Sequence, residues 1–296
     1  MSLFYPRATA ADLLPISQLV SLAFVIDDAF DDIIPSPAQC HDRLRSLHGV
    51  LAGQAPADRW SRALHDVWGR LLEGRPSCWQ RAFHRDVSDH LWSPYREVVD
   101  RSSGNWPALW SHHENRRYSF GTYFLLDYHE VVTGTFLPED IRRLPGFSSL
   151  RTAVADQIAI VNDVFSCHKE EPTGGHHNFV LLAERHHSCS RSTAIGRAQA
   201  LADTYLTHAI TARTELEDQL AAVSAPHEEQ HAYLRVADAH IATIRGNYDY
   251  HLDPAVRRYT LPPGGMPQQE TAVCPVSAQR GPGTLAGTRA ARSRFS

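Results

Sequence analysis

The sequence predicts an all-α fold, and three observations predict it. Apolar residues recur at helical spacing through most of the chain. No stretch alternates apolar and polar residues as a half-buried strand does. No GxGxxG follows a strand-like run. Residues 13–34 read as the first helix, apolar until a cluster of aspartates, with residues 19–26 expected to be wholly buried. Helices over 37–54, 58–72 and 79–99 follow, separated by Pro/Gly breaks such as "GRPS". Segments 106–121 and 123–132 come next. "GFSSL" at 146–150 reads as the N-cap of a helix running through Glu170, which "EPTGG" ends. Two long helices, 192–223 and 227–250, complete nine or ten in all.

Composition narrows the function. The chain has 296 residues, 43% of them hydrophobic, enough for a substantial core. Its net charge of −4 offers no basic field for nucleic acid. Cys40, Cys78, Cys167, Cys189 and Cys274 are scattered and odd in number, with no CxxC, which fits a reducing, cytoplasmic setting. The N-terminus has no basic segment leading an apolar core. The longest charge-free apolar run, residues 13–26, is shorter than the roughly 18 residues of a membrane span. Residues 261–296 are rich in Pro, Gly and small side chains and are expected to be a disordered tail. Residues 1–260 are expected to form one domain.

"VIDDAFDD" at 25–32 concentrates negative charge at the end of an apolar helix. Asp27 and Asp31 share one face at i, i+4, as do Asp28 and Asp32. Oxygen-only clusters of this kind suit hard cations, although a solvated helix end would explain the charge equally well. "IVNDVFSCHKE" supplies a second cluster. Asn162, Ser166 and Glu170 stand at i, i+4, i+8 and drift little around a helix, with Lys169 on the same stripe. An amide oxygen, a hydroxyl and a carboxylate in line make a credible Mg2+ site, and a lysine beside it can meet an anion held by the same metal.

Together these patterns resemble the bacterial class I terpene synthases, the terpene cyclases. Asp27, Asp28 and Asp31 match the family's DDxxD motif, and Asn162, Asp163, Ser166, Lys169 and Glu170 match its NDxxSxxKE motif. "NRRYSFG" is similar to the stretch carrying the family's diphosphate-sensing arginine, here Arg116. Phe120 and Gly121 fall in the helix break that follows it. "IRGNYDYHLDPAVRRY" resembles the family's last helix and its Arg-Tyr pair, here Arg258 and Tyr259. The aspartate motif starts at residue 27, earlier than is usual in the family, so the usual N-terminal helices are expected to be lacking.

The resemblance implies a class I terpenoid synthase bundle around a central active-site cavity. It implies a lyase that ionises a prenyl diphosphate and cyclises the carbocation. Farnesyl diphosphate is the expected substrate, by analogy, with geranyl and geranylgeranyl diphosphate as alternatives. A chain-elongating prenyl transferase, or a binding protein without turnover, ranks lower. Three Mg2+ ions are implied, with Mn2+ as substitute. Asp27, Asp28 and Asp31 would hold ions on one side, and Asn162, Ser166 and Glu170 on the other. Arg116, Lys169, Arg258 and Tyr259 would bind the diphosphate. Phe24, Phe120, Phe124, Tyr248 and Tyr250 are the candidate pocket wall, their aromatic faces able to stabilise a cation without a lone pair to attack it. No side-chain base is evident in sequence for the final deprotonation, which leaves the released diphosphate. No nucleic-acid partner and no membrane span is expected, and a homodimer is compatible with this reading.

Overall fold

The computed structural model describes residues 1–32, 36–174, 176–223 and 225–253; side chains at 31, 32 and 173 are also outside the description. The expectation of disorder over 261–296 therefore lies outside the described residues. Among those described there are eleven α-helices and no strand. They are α1 (Ala10–Asp32), α2 (Pro37–Leu51), α3 (Arg59–Leu72), α4 (Ser77–Ser103), α5 (Leu109–Ser119), α6 (Thr122–Thr133), α7 (Glu139–Arg142), α8 (Pro145–Glu170), α9 (Phe179–His187), α10 (Arg191–Ala222) and α11 (His227–Leu252). The sequence reading missed α7 and α9 as separate helices. Both are short, and periodicity needs several turns to register.

α8 is the axis of the bundle. It packs most extensively along α10 and also meets α5, α6, α9 and α11. It is buried around most of its circumference, as a helix surrounded by others must be. It starts at Pro145, where a missing N–H costs no helical hydrogen bond, and Leu144 caps it with no side-chain bond. Ser148 and Ser149 of the expected cap thus lie inside the first turns. α2 packs on α3 and α4, and α1 on α3, α4 and α6. Three apolar clusters result: one among the N-terminal helices, one where α8 meets α6, α10 and α11, and one at the far end around α9 and α10.

Buried charges tie helices where burial alone would leave them free to slide. Arg151 of α8 reaches Asp86 of α4 at 2.7 Å and Asp127 of α6 at 3.0 Å. Arg142 at the end of α7 meets Asp127 at 3.4 Å and Glu130 at 2.5 Å. Burial pushes the Glu130 carboxyl up to about 7, although Arg142 pulls it down.

The first residues close over one side of the bundle. Tyr5 is 1% exposed and donates its hydroxyl to Leu125 O at 2.7 Å. Residues 19–26 are not wholly buried. Leu19 and Ile26 are, but Phe24, which borders a cavity, is 38% exposed, and Val25, which does not, is 57% exposed. By length and composition the stretch Ala10–Phe30 passes for a membrane span, mean hydropathy 1.6, where the sequence reading stopped at the nearest charges. In this fold it is a cavity wall.

Candidate active site

A cavity of about 410 Å³ runs between α1, α4, α5, α6, α8 and α11. That is within the usual size range of small-molecule sites. One end is polar: Asp27 from α1, Arg101 from α4, Arg116 from α5, and Asn162, Lys169 and Glu170 from α8 line it. Apolar side chains, Val20, Phe24, Phe120, Phe124, Leu125 and Tyr250 among them, form much of the rest of the wall. Met1, Leu3 and Phe4 of the first turn line it too, so the N-terminal segment closes one side.

The two motif helices meet at the mouth. Lys169 Nζ lies 3.8 Å from Asp28 Oδ1, with both side chains partly exposed. Asp27 lines the cavity and Asp28 does not; neighbouring residues on a helix point about 100° apart. The Asp31 side chain lies outside the described residues, as do Arg258 and Tyr259. On α8, Asn162, Lys169 and Glu170 face the cavity, whereas Ser166 is fully buried beside them.

Asn178, the N-cap of α9, holds this row together. Its side-chain amide donates to Glu170 Oε2 at 3.0 Å, to Ser166 Oγ at 3.3 Å and to Asp163 O at 2.9 Å. Its oxygen caps the amide of Val180 at 2.9 Å. Its hold on the motif depends on a chain reversal that no spacing announces.

Arg116 is positioned with equal care. Its Nη2 donates to Asn162 Oδ1 at 2.7 Å and its Nε to Asp163 Oδ1 at 2.8 Å. Asp163 accepts two further bonds on Oδ2, from His112 Nε2 and the Phe179 amide, each at 2.8 Å. Burial alone would push the Asp163 carboxyl up. Arg116, His112 and the amide outweigh burial and hold it down to about 2. Desolvation would favour a neutral Arg116, but Asp163 and Glu170 keep its guanidinium charged. Asp163, quoted only as part of a motif, is thus the buried anchor of the arginine.

The arginine sits just before the break between α5 and α6. Gly121 there has φ +78°, a conformation side chains disfavour, and a Cβ would meet the Phe124 ring at 2.5 Å. The break turns Phe120 into the cavity, with Arg116 Cζ 5.9 Å from its ring centroid.

Of the expected wall residues, Phe24, Phe120, Phe124 and Tyr250 line the cavity. Tyr248 does not. It packs edge-on against Phe165, centroids 6.4 Å apart, in the far apolar cluster, because a two-residue step on α11 rotates it away from Tyr250. Sequence reading also missed His90, on the cavity face of α4, which no motif marks.

The donors fit a hard divalent cation by their chemistry. Asp27, Asn162, Ser166 and Glu170 offer only oxygen. Among the described residues no three His, Cys, Asp or Glu side chains converge on one point. On α8 the oxygen donors are one carboxylate with an amide and a hydroxyl, and Asp27 belongs to another helix.

Known proteins resemble this chain in sequence and in fold. Residues 18–208 match the protein-family model "Terpene synthase family 2, C-terminal metal binding". The chain is 30% identical over 264 residues to (2Z,6E)-hedycaryol synthase of Kitasatospora setae, covering 87% of this chain and 77% of that enzyme. It is 27% identical to pristinol synthase of Streptomyces pristinaespiralis, over 95% of this chain and 74% of that one. Among solved structures, hedycaryol synthase in complex with nerolidol superposes with a TM-score of 0.74 at 29% identity, covering 84% of this chain and 81% of the other.

Proposed function

This chain belongs to the terpene synthase family, and from that premise we propose that it is a divalent-metal-dependent sesquiterpene cyclase acting on farnesyl diphosphate. One observation carries the reading: a single cavity is lined both by Asp27, Arg116, Asn162, Lys169 and Glu170 and by the aromatic rings of Phe24, Phe120, Phe124 and Tyr250. Each set suits one half of a prenyl diphosphate.

Bound Mg2+, three ions being the expected number, supplies positive charge between acidic side chains and an acidic substrate. Asp27 would hold it from α1, with Asp31 on the same face of that helix and Asp28 beside it at the mouth; Asn162, Ser166 and Glu170 would hold it from α8. Arg116 and Lys169, with Arg258 and Tyr259, donate hydrogen bonds to the diphosphate oxygens. These charge-assisted bonds strengthen as the C–O bond breaks and charge gathers on the leaving group. Arg116 arrives already ordered by Asp163, so little side-chain freedom is lost at that moment. Phe24, Phe120, Phe124 and Tyr250 turn ring faces to the allylic cation. Phe4 and its neighbours keep water from quenching it. The four described cysteines are free thiols, which supports a cytoplasmic setting.

Incubation with ten-, fifteen- and twenty-carbon diphosphates and Mg2+, followed by mass spectrometry, tests this reading. Cyclic fifteen-carbon products are expected. A ten- or twenty-carbon cyclic product favours the other chain lengths, a longer diphosphate a prenyl transferase. Asp27→Ala and Asn162→Ala are each expected to cut diphosphate release by more than about a hundredfold with helical content unchanged. Near-wild-type release in either variant sinks the ligand assignment.

A further inference from the structure

His90 is a polar side chain that lines the cavity beside the aromatic ring of Phe124. On α4 it belongs to the stripe His90, Pro94, Glu97, Arg101, which faces the cavity along the helix. At 1.5 Å per residue His90 lies about 16 Å along the helix from Arg101, and it rests against the last turn of α5, where Ser119 Oγ accepts from Arg116 at 3.3 Å. It sits beside Phe124, ring centroids 5.2 Å apart, so it borders the space where hydrocarbon is held.

Its tautomer follows from its partner. Nδ1 lies 3.1 Å from Tyr118 O. A carbonyl only accepts, so Nδ1 carries the proton and the neutral ring keeps its lone pair on Nε2. Burial lowers the pKa of His90, which keeps it neutral near pH 7. The carbonyls of Tyr118 and Ser119 work the other way and favour the charged ring. They belong to the last turn of α5, whose C-terminal dipole stabilises a cation. A ring that is neutral at rest, and supported when it gains a proton, has the properties of a base.

Resting on the cyclase reading above, we propose that His90 is the proton acceptor that ends the cyclisation. Its Nε2 takes a proton from the carbon next to the cationic centre. The C–H electron pair becomes the new C=C bond, the cation is discharged as an olefin, and the proton remains on the imidazolium until solvent or the departing diphosphate removes it. The released diphosphate is then not needed as the base.

The alternative role is positioning: His90 only pins the α5–α6 break through Tyr118 O. Two variants separate the roles. His90→Asn keeps an N–H donor in the Nδ1 position but has no basic nitrogen; His90→Phe keeps a ring and has neither. Both are assayed with farnesyl diphosphate and Mg2+ for product profile, and in parallel for diphosphate release, which reads ionisation separately. Circular dichroism confirms folding, and if the Phe variant unfolds, the Asn variant decides. Proton acceptance predicts that in both the wild-type olefin falls at least tenfold as a share of products, replaced by alcohols or by olefins deprotonated elsewhere, and that diphosphate release falls less than the olefin does. A wild-type profile from either variant, including rescue by Asn, overturns the proposal. So does a wild-type product that is wholly an alcohol. Wild-type enzyme that releases no diphosphate overturns the cyclase reading and this inference with it.

Discussion

At the scale of the residue, the site depends on a carboxylate that faces no substrate. Asp163 is 1% exposed and accepts three hydrogen bonds, one of them from Arg116. Removing one partner of such a pair leaves a charge without compensation in a poorly solvating place. Asp163→Asn is expected to destabilise the protein by about 3 kcal/mol, read as a lower urea midpoint, and to impair diphosphate release through a misplaced Arg116. The pH dependence follows from the sign of the shift. The folded carboxyl is held down to about 2. Its contribution is therefore complete above the unfolded value near 4 and is lost as pH falls from about 4 towards 2. The acid limb of the stability curve should be shallower in that variant over this window. Sequence spacing made Asn162 and Glu170 legible because their stripe is a property of one helix. The roles of Asp163 and Asn178 were not, because Asp163 is held from α5 and α9 and Asn178 reaches from the start of α9 to α8.

At the scale of the element, helices were readable from periodicity and their ends were less so. α8 starts at a proline and not at the serines that resembled a cap. Tyr248 and Tyr250 both belong to α11, but which of them meets the cavity was set by how α11 rotates against α8. α11 also receives the N-terminal segment. A Cβ on Gly246 would lie 2.2 Å from the Leu3 carbonyl oxygen, and backbone cannot give way as a flexible side chain can. Gly246→Ala should cost about 1–3 kcal/mol and push the first turn, with Phe4, away from the cavity. Thermal melting checks the first effect. A larger share of water-quenched alcohol among the products checks the second.

At the scale of the molecule, burial of titratable groups sets the acid stability. His129 is 3% exposed, its Nε2 2.6 Å from Thr243 Oγ1, and burial lowers its pKa to about 3; burial does the same first for His177, helped by the charges around it. Both are basic groups with depressed folded values. Their contribution is complete above the unfolded value near 6.5 and drains away as pH falls towards 3. His129 alone should cost about 2 kcal/mol between pH 7 and pH 5. The melting temperature is expected to fall over that interval, and more gently in His129→Gln. An equal slope in the two proteins removes His129 from the account.

By itself the sequence determined the all-α class, most of the helices and the two rows of oxygen-bearing side chains, because each depends on the periodicity of one segment. Only the tertiary structure decided that Asp27 and Asn162 share one cavity, that Asp28 pairs instead with Lys169 at its mouth, that Tyr248 turns away, and that His90 lines the cavity beside Phe124. The physical reason is that a cavity is enclosed by helices distant in the chain. Their relative rotations come from packing and buried charge between them, and no local pattern encodes those.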